Sequence, residues 1–138
     1  MDESDTNRIS KILIIKSDKV LLLMSKKLKK FHLPGGHIKK NETFTQGLNR
    51  EVKEETNLKI SWSNIIYTSP SYTLYKGGVY DGTIKLSDEH DGYIWAKIEY
   101  AHKYPLCKFT KRDIFGLQKY WKKIKNKKKK LDNSQEMK

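Results

Sequence analysis

The chain is poor in the features that staple a protein or anchor it in a membrane. Its 138 residues contain one cysteine, Cys107, so no disulfide can form within it, and nothing gives that thiol a metal role. No apolar run approaches the ~20 residues that cross a bilayer. The first ten residues, MDESDTNRIS, are too acidic and polar for a secretory leader. These features fit a reducing, cytoplasmic compartment and no membrane partner. Apolar residues make up only 36% and mean hydropathy is −0.80, with a polar tail depressing both. The length still suits one domain with a real core.

Acidic residues are scarce too: 16 Asp and Glu stand against 29 Lys and Arg, a net charge of +13. Residues 122–138 hold eight lysines against Asp132 and Glu136, so they supply +6 of it and leave +7 on the body. A solvated tail is the first reading of such a run, here a lysine-rich flexible end over 126–138 after a single domain over 1–125. Contact with a polyanion, a nucleotide or RNA, is the alternative.

The few acids are not scattered. The 23-residue stretch Gly36–Leu58 reads GHIKKNETFTQGLNREVKEETNL. A glycine-rich segment, Leu33-Pro34-Gly35-Gly36, leads into a helix expected from about Thr43 to Thr56. At roughly 100° per residue, Glu51, Glu54 and Glu55 fall within one arc of about 100°. They lie beside the apolar stripe of Phe44, Leu48 and Val52, whereas a merely solubilising face would lie opposite it. Carboxylates so close raise one another's pKa unless a cation lies between them, and an all-oxygen set suits Mg²⁺.

Gly36, five residues, Glu42, seven residues, Arg50-Glu51-Val52, one residue, Glu54-Glu55, one residue, Asn57-Leu58 resembles the Nudix box, G-x5-E-x7-R-E-U-x-E-E-x-G-U. The one departure is Asn57 in place of glycine. That position ends a helix, where a left-handed residue is wanted and Asn is the next choice after Gly.

Around the box, β-branched and aromatic runs give strands at Arg8–Lys16, Val20–Met24, Phe31–Leu33, Lys59–Thr68, Tyr72–Lys76 and Tyr93–Ala96. Met1–Asn7 reads as a loose end, Gly77-Gly78 as a turn, and Val79–Leu86 as a further strand. A short helix is expected at Glu99–Lys103 and a longer one at Thr110–Lys125, with Ile114, Leu117, Trp121 and Ile124 as its packing stripe. Trp95 reads as core. Strands alternating with two substantial helices indicate an α/β protein, a sheet covered by helices. The resemblance, spanning about Arg8–Lys125, implies the same Nudix-type α/β/α sandwich around a central mixed β-sheet.

The resemblance also implies an activity: metal-dependent hydrolysis of a nucleoside diphosphate linked to another moiety, here a nucleoside triphosphate or a dinucleoside polyphosphate. By motif position Glu51, Glu54 and Glu55 would hold Mg²⁺ or Mn²⁺, joined by a backbone carbonyl at Gly36. Glu54 would be central to catalysis. Arg50 would orient rather than react, with Glu42 pairing to it and keeping its guanidinium from the metal. The general base is either a box glutamate or a loop acid, Glu89 in LSDEHDGYIW, a string similar to that of asymmetric diadenosine tetraphosphate hydrolases. Phe31, Tyr72 and Tyr75 are candidates for stacking on a base. A 5′-end RNA pyrophosphohydrolase of the same family, and a non-catalytic nucleotide-binding domain, are the alternatives. Oligomeric state is not legible.

Overall fold

A computed structural model describes residues 5–136. β1 (Asp5–Lys16) and β2 (Lys19–Ser25) form the expected hairpin, turning at Ser17 with φ 57°. β3 (Phe31–His32) and β4 (Gly35–Lys39) precede helix α1 (Phe44–Thr56). β5 (Ile60–Thr68), β6 (Tyr72–Val79) and β7 (His90–Lys97) follow, then a 3₁₀ segment (Ile98–Lys103) and helix α2 (Lys108–Glu136). The strands form a mixed sheet. β1 pairs antiparallel with β4 and parallel with β6, and β5 closes that edge against β6. β2 carries β3 on one side and β7 on the other, both antiparallel.

The apolar run Ile12-Leu13-Ile14 is buried on both faces of β1, which is why it does not alternate with polar residues. Ile12 and Ile14 pack with Leu21, Leu23 and the α1 stripe of Leu48 and Val52. Leu13 points the other way, with Val20 and Leu22, into a second cluster with Ile114 and Leu117 of α2. Two cores on opposite sheet faces, each capped by one helix, give the α/β/α layering.

Five local expectations are corrected. Asp5–Asn7 belong to β1 rather than a loose end; residues 1–4 lie outside the described residues. The glycine-rich segment is not all loop, because Gly35 and Gly36 open β4, pairing with Lys11 and Ser10. Gly77-Gly78 is no turn: both residues continue β6, and β5 crosses them so closely that a Cβ on Gly77 would lie 2.3 Å from the Trp62 carbonyl oxygen. Residues 80–89 then run as an irregular connection with no strand. α2 does not stop at Lys125 but continues through the lysine run to Glu136, since lysine favours helix and neither Pro nor Gly interrupts it. Its stripe fades outward: Ile114 and Leu117 are buried, Trp121 is half-buried and Ile124 is exposed. Trp95 is half-buried against the α1-side core.

Candidate active site

α1 is fixed at both ends by its own sequence. Thr43 caps the N-terminus, its hydroxyl accepting from the Gln46 backbone N–H while the Gln46 side chain accepts from the Thr43 N–H. Asn57 ends the helix at φ 66°, ψ 8°, the left-handed conformation expected of it, and its N–H donates to the Lys53 carbonyl. Gly47 sits against β4, where a Cβ would lie 2.1 Å from Ile38 Cγ2. This close approach brings the acidic face of α1 over the start of β4.

The acids of that face differ sharply in environment. Glu55 is buried, Glu51 half-buried and Glu54 exposed. Glu55 Oε1 accepts from the Gly35 N–H at 2.7 Å. Burial raises the Glu55 carboxyl, with the Lys11 charge and the Gly35 N–H opposing it. Burial likewise raises Glu51, against the hydrogen bond from Arg50. Lys11 Nζ donates to the carbonyls of Leu33 and Gly35, both at 2.9 Å. Burial lowers its ammonium, and Glu55 and then Glu51 pull it back up.

Arg50 organises the outer acids. Its Nε and Nη2 grip Glu42 Oε2 and Oε1 at 2.8 and 2.9 Å, a bidentate pair that holds the Glu42 carboxyl below its usual range. Nη2 also donates to the His37 carbonyl. Nη1 reaches Glu51 Oε1 at 3.0 Å and Glu54 Oε2 at 3.2 Å. The pairing of Arg50 with Glu42 thus leaves one nitrogen in contact with the box acids. Glu42 takes Nε and Nη2, and Nη1 lies free to bridge two of the box carboxylates.

These groups line one cleft of about 900 Å³, with Gly36, Arg50, Glu51, Glu54 and Glu55 on one side and Ser87, Asp88, Glu89 and His90 on the other. The loop reaches the helix because the Ser87 N–H donates to the Glu55 carbonyl at 3.1 Å. Glu89 is exposed and lines the cleft. The residues fit a hard divalent ion. Glu51 and Glu55 are carboxylates whose charge is disfavoured by burial, which a cation relieves. The Gly36 backbone comes so close to Glu51 that a Cβ would lie 2.9 Å from Oε2. The carboxylate donors are all oxygen.

The three aromatic candidates do not line this cleft. Phe31 is buried, packed edge-to-face on Tyr104 at 5.6 Å. Tyr75 is buried against α1, its hydroxyl 2.9 Å from Thr45 Oγ1. Tyr72 hydrogen-bonds Asp113 and packs between Phe109 and Arg112, with burial and then Asp113 holding its phenol up. None of the three rings is placed where the carboxylates meet: Phe31 and Tyr75 are buried, and half-buried Tyr72 lies against Phe109 and Arg112. The lysine run is also remote: Thr110 meets Leu33 at the cleft end of α2, and Lys122 lies ~18 Å further along the helix.

Sequence reasoning missed His32 and His90. They lie on separate strands, 2.8 Å apart at Nε2, and only the pairing of β2 with both β3 and β7 brings them together. Burial lowers both imidazoles, His32 to about 3 with the Lys11 charge adding to the effect.

A mixed sheet between two helices places a carboxylate-lined cleft at the start of β4, a site suited to metal-assisted hydrolysis. The chain belongs to the NUDIX domain family, whose model matches residues 6–115. Its fold is similar to a MutT structure from work on the Aliivibrio salmonicida and Vibrio cholerae proteins, with TM-score 0.72 and 17% identity over 82% of this chain and 97% of that one. MutT protein from Methanosarcina mazei Go1 gives TM-score 0.64 and 26% identity, covering 83% and 94%. An ADP-ribose pyrophosphatase from Streptococcus suis gives 0.61 and 19%, covering 74% and 80%. Nudix hydrolases bind nucleotide substrates and use divalent metals. No helix among the described residues is long and apolar enough to cross a membrane.

Proposed function

We propose that this chain is a Mg²⁺- or Mn²⁺-dependent pyrophosphohydrolase whose substrate is a nucleoside triphosphate or a dinucleoside polyphosphate. The observation that carries this reading is the meeting of Glu51, Glu54, Glu55 and Glu89 in one cleft, with Arg50 bridging the first two. Glu51, Glu54, Glu55 and the Gly36 carbonyl would hold the ion. When bound, it neutralises phosphate oxygens and acidifies water. Arg50, fixed by Glu42, holds Glu51 and Glu54 in position. Glu89, exposed across the cleft, takes the proton from the attacking water. The cleft of about 900 Å³ leaves room for a polyphosphate. Nothing in the cleft favours RNA over a free nucleotide.

The test is phosphate and pyrophosphate release with Mg²⁺ or Mn²⁺ across nucleoside triphosphates, dinucleoside polyphosphates, ADP-ribose and 5′-triphosphate RNA. Turnover confined to the first two classes is expected. Preferred turnover of ADP-ribose or RNA overturns the substrate assignment.

A further inference from the structure

The inner wall of the cleft carries ligand atoms that the carboxylate box does not explain. His32 ends β3 and His90 begins β7, and their rings face each other with centroids 4.9 Å apart. Nε2 of one lies 2.8 Å from Nε2 of the other, and Glu55 Oε2 lies 3.6 Å from His90 Nε2. Among the described residues, these three side chains are the only group whose metal-capable atoms all lie within 4.8 Å of one another.

The outer nitrogens explain the orientation. His32 Nδ1 lies 2.8 Å from the Leu33 carbonyl, which can only accept, so Nδ1 carries the proton and Nε2 presents a lone pair. His90 Nδ1 lies 3.0 Å from Ser87 Oγ, a hydroxyl able to accept from it. When both Nδ1 atoms donate outward, both Nε2 lone pairs aim at one point, the arrangement that surrounds imidazole-bound metals; in the other tautomer of His90, Ser87 Oγ donates to Nδ1 and the His90 Nε2–H donates to His32 Nε2, the proton standing where the ion would sit. Two lone pairs so close repel unless a proton or a cation lies between them. Glu55 completes the set, because Gly35 engages Oε1 and leaves Oε2 facing the rings. Lys11 Nζ sits 3.3 Å from His32 Nδ1, on the far side of that ring from Nε2.

We infer that His32 Nε2, His90 Nε2 and Glu55 Oε2 form a site for a divalent transition ion of the Zn²⁺ and Co²⁺ class, with its open positions toward the cleft. Two nitrogens and one oxygen suit such ions, whereas Mg²⁺ prefers oxygen donors throughout. Tetrahedral ligands at ~2.1 Å stand ~3.4 Å apart, so the two Nε2 atoms, now 2.8 Å apart, need to part by about 0.6 Å. The site shares Glu55 with the hard-ion set described above, yet its own existence does not depend on that assignment.

The experiment is a Co²⁺ titration of the full-length, metal-free protein without nucleotide, followed by visible absorption and competed with Zn²⁺ and Mg²⁺. One Co²⁺ per chain is expected, displaced by stoichiometric Zn²⁺ and retained in millimolar Mg²⁺. His32→Gln and His90→Gln should each weaken it by ~100-fold or more, and Glu54→Gln should retain it. In the wild-type protein, Zn²⁺ should shift the imidazole Nε2 ¹⁵N resonances of both histidines while their Nδ1 atoms stay protonated, a readout that needs no variant. Co²⁺ binding unchanged in both histidine variants, or Nε2 resonances unmoved by Zn²⁺, overturns the site and places the ion on the box carboxylates. Because no hydrolysis is measured, failure of the proposed reaction would not mimic either result.

Discussion

Arg50 meets Glu42 through two parallel hydrogen bonds and, with its third nitrogen, touches both Glu51 and Glu54. One guanidinium thus links the start of α1 to two of the proposed metal ligands. Lysine offers a point charge with no fixed fork. Arg50→Lys should cost about 2 kcal/mol of stability by urea unfolding. It should also weaken Mg²⁺ affinity, because Glu51 and Glu54 lose their common positioning partner. Unchanged affinity would confine Arg50 to holding the fold.

Glu54 is 57% exposed at its side chain and contributes little to packing. Glu54→Gln should leave the thermal midpoint within ~2 °C, since an exposed ion pair is worth little. Turnover should fall by at least ~100-fold, the scale on which a charge-stabilising group acts. Full activity in the folded variant would remove Glu54 from the reaction.

Glu89 faces the box from the opposite loop. If it accepts the proton of the attacking water, Glu89→Gln should lower kcat by ~100-fold or more with KM little changed. An unaltered kcat would return that role to a glutamate of α1.

Gly47 offers a stability test of how α1 is seated. Alanine would gain up to ~1 kcal/mol in helix propensity. Its Cβ would however meet Ile38 at Cγ2 and Cβ, inside a packed core where overpacking costs ~1–3 kcal/mol. Gly47→Ala should therefore destabilise the protein in chemical denaturation. A stabilised variant would show that β4 yields easily.

The histidine pair sets a pH dependence. Native His32 stays neutral to about pH 3, whereas an unfolded histidine titrates near ~6.5. Below ~6.5 the unfolded chain binds a proton that the native one refuses. This contribution is complete above that value and is lost as the pH falls toward about 3. His90, also lowered by burial, acts in the same sense. Glu55, raised by burial to about 8, pulls the other way over the same range, so the histidine contribution is read as a difference: between about pH 7.5 and pH 5 the unfolding free energy of the metal-free wild type should drop relative to that of His32→Gln. An equal slope in the variant would assign the effect elsewhere.

Much of the site could be read from local order. α1, its Thr43 start, its Asn57 end and the spacing of Arg50 and the glutamates are properties of one continuous segment, legible because caps and helical period act over a few residues. The buried run in β1 and the hairpin after it were legible for the same reason. Where long-range packing decided, reading the chain failed. Gly77 and Gly78 look like a turn until β5 crosses over them. Phe31 and Tyr75 offer aromatic faces only until the core buries them, and Tyr72 only until Phe109 and Arg112 pack against it. The amino-acid sequence by itself determined the acidic helix and the class of chemistry it supports. Only the tertiary structure decided that Arg50 bridges two of its carboxylates, that Glu89 faces them, and that His32 and His90 meet beside Glu55. These contacts depend on which strands pair, and no local period encodes that.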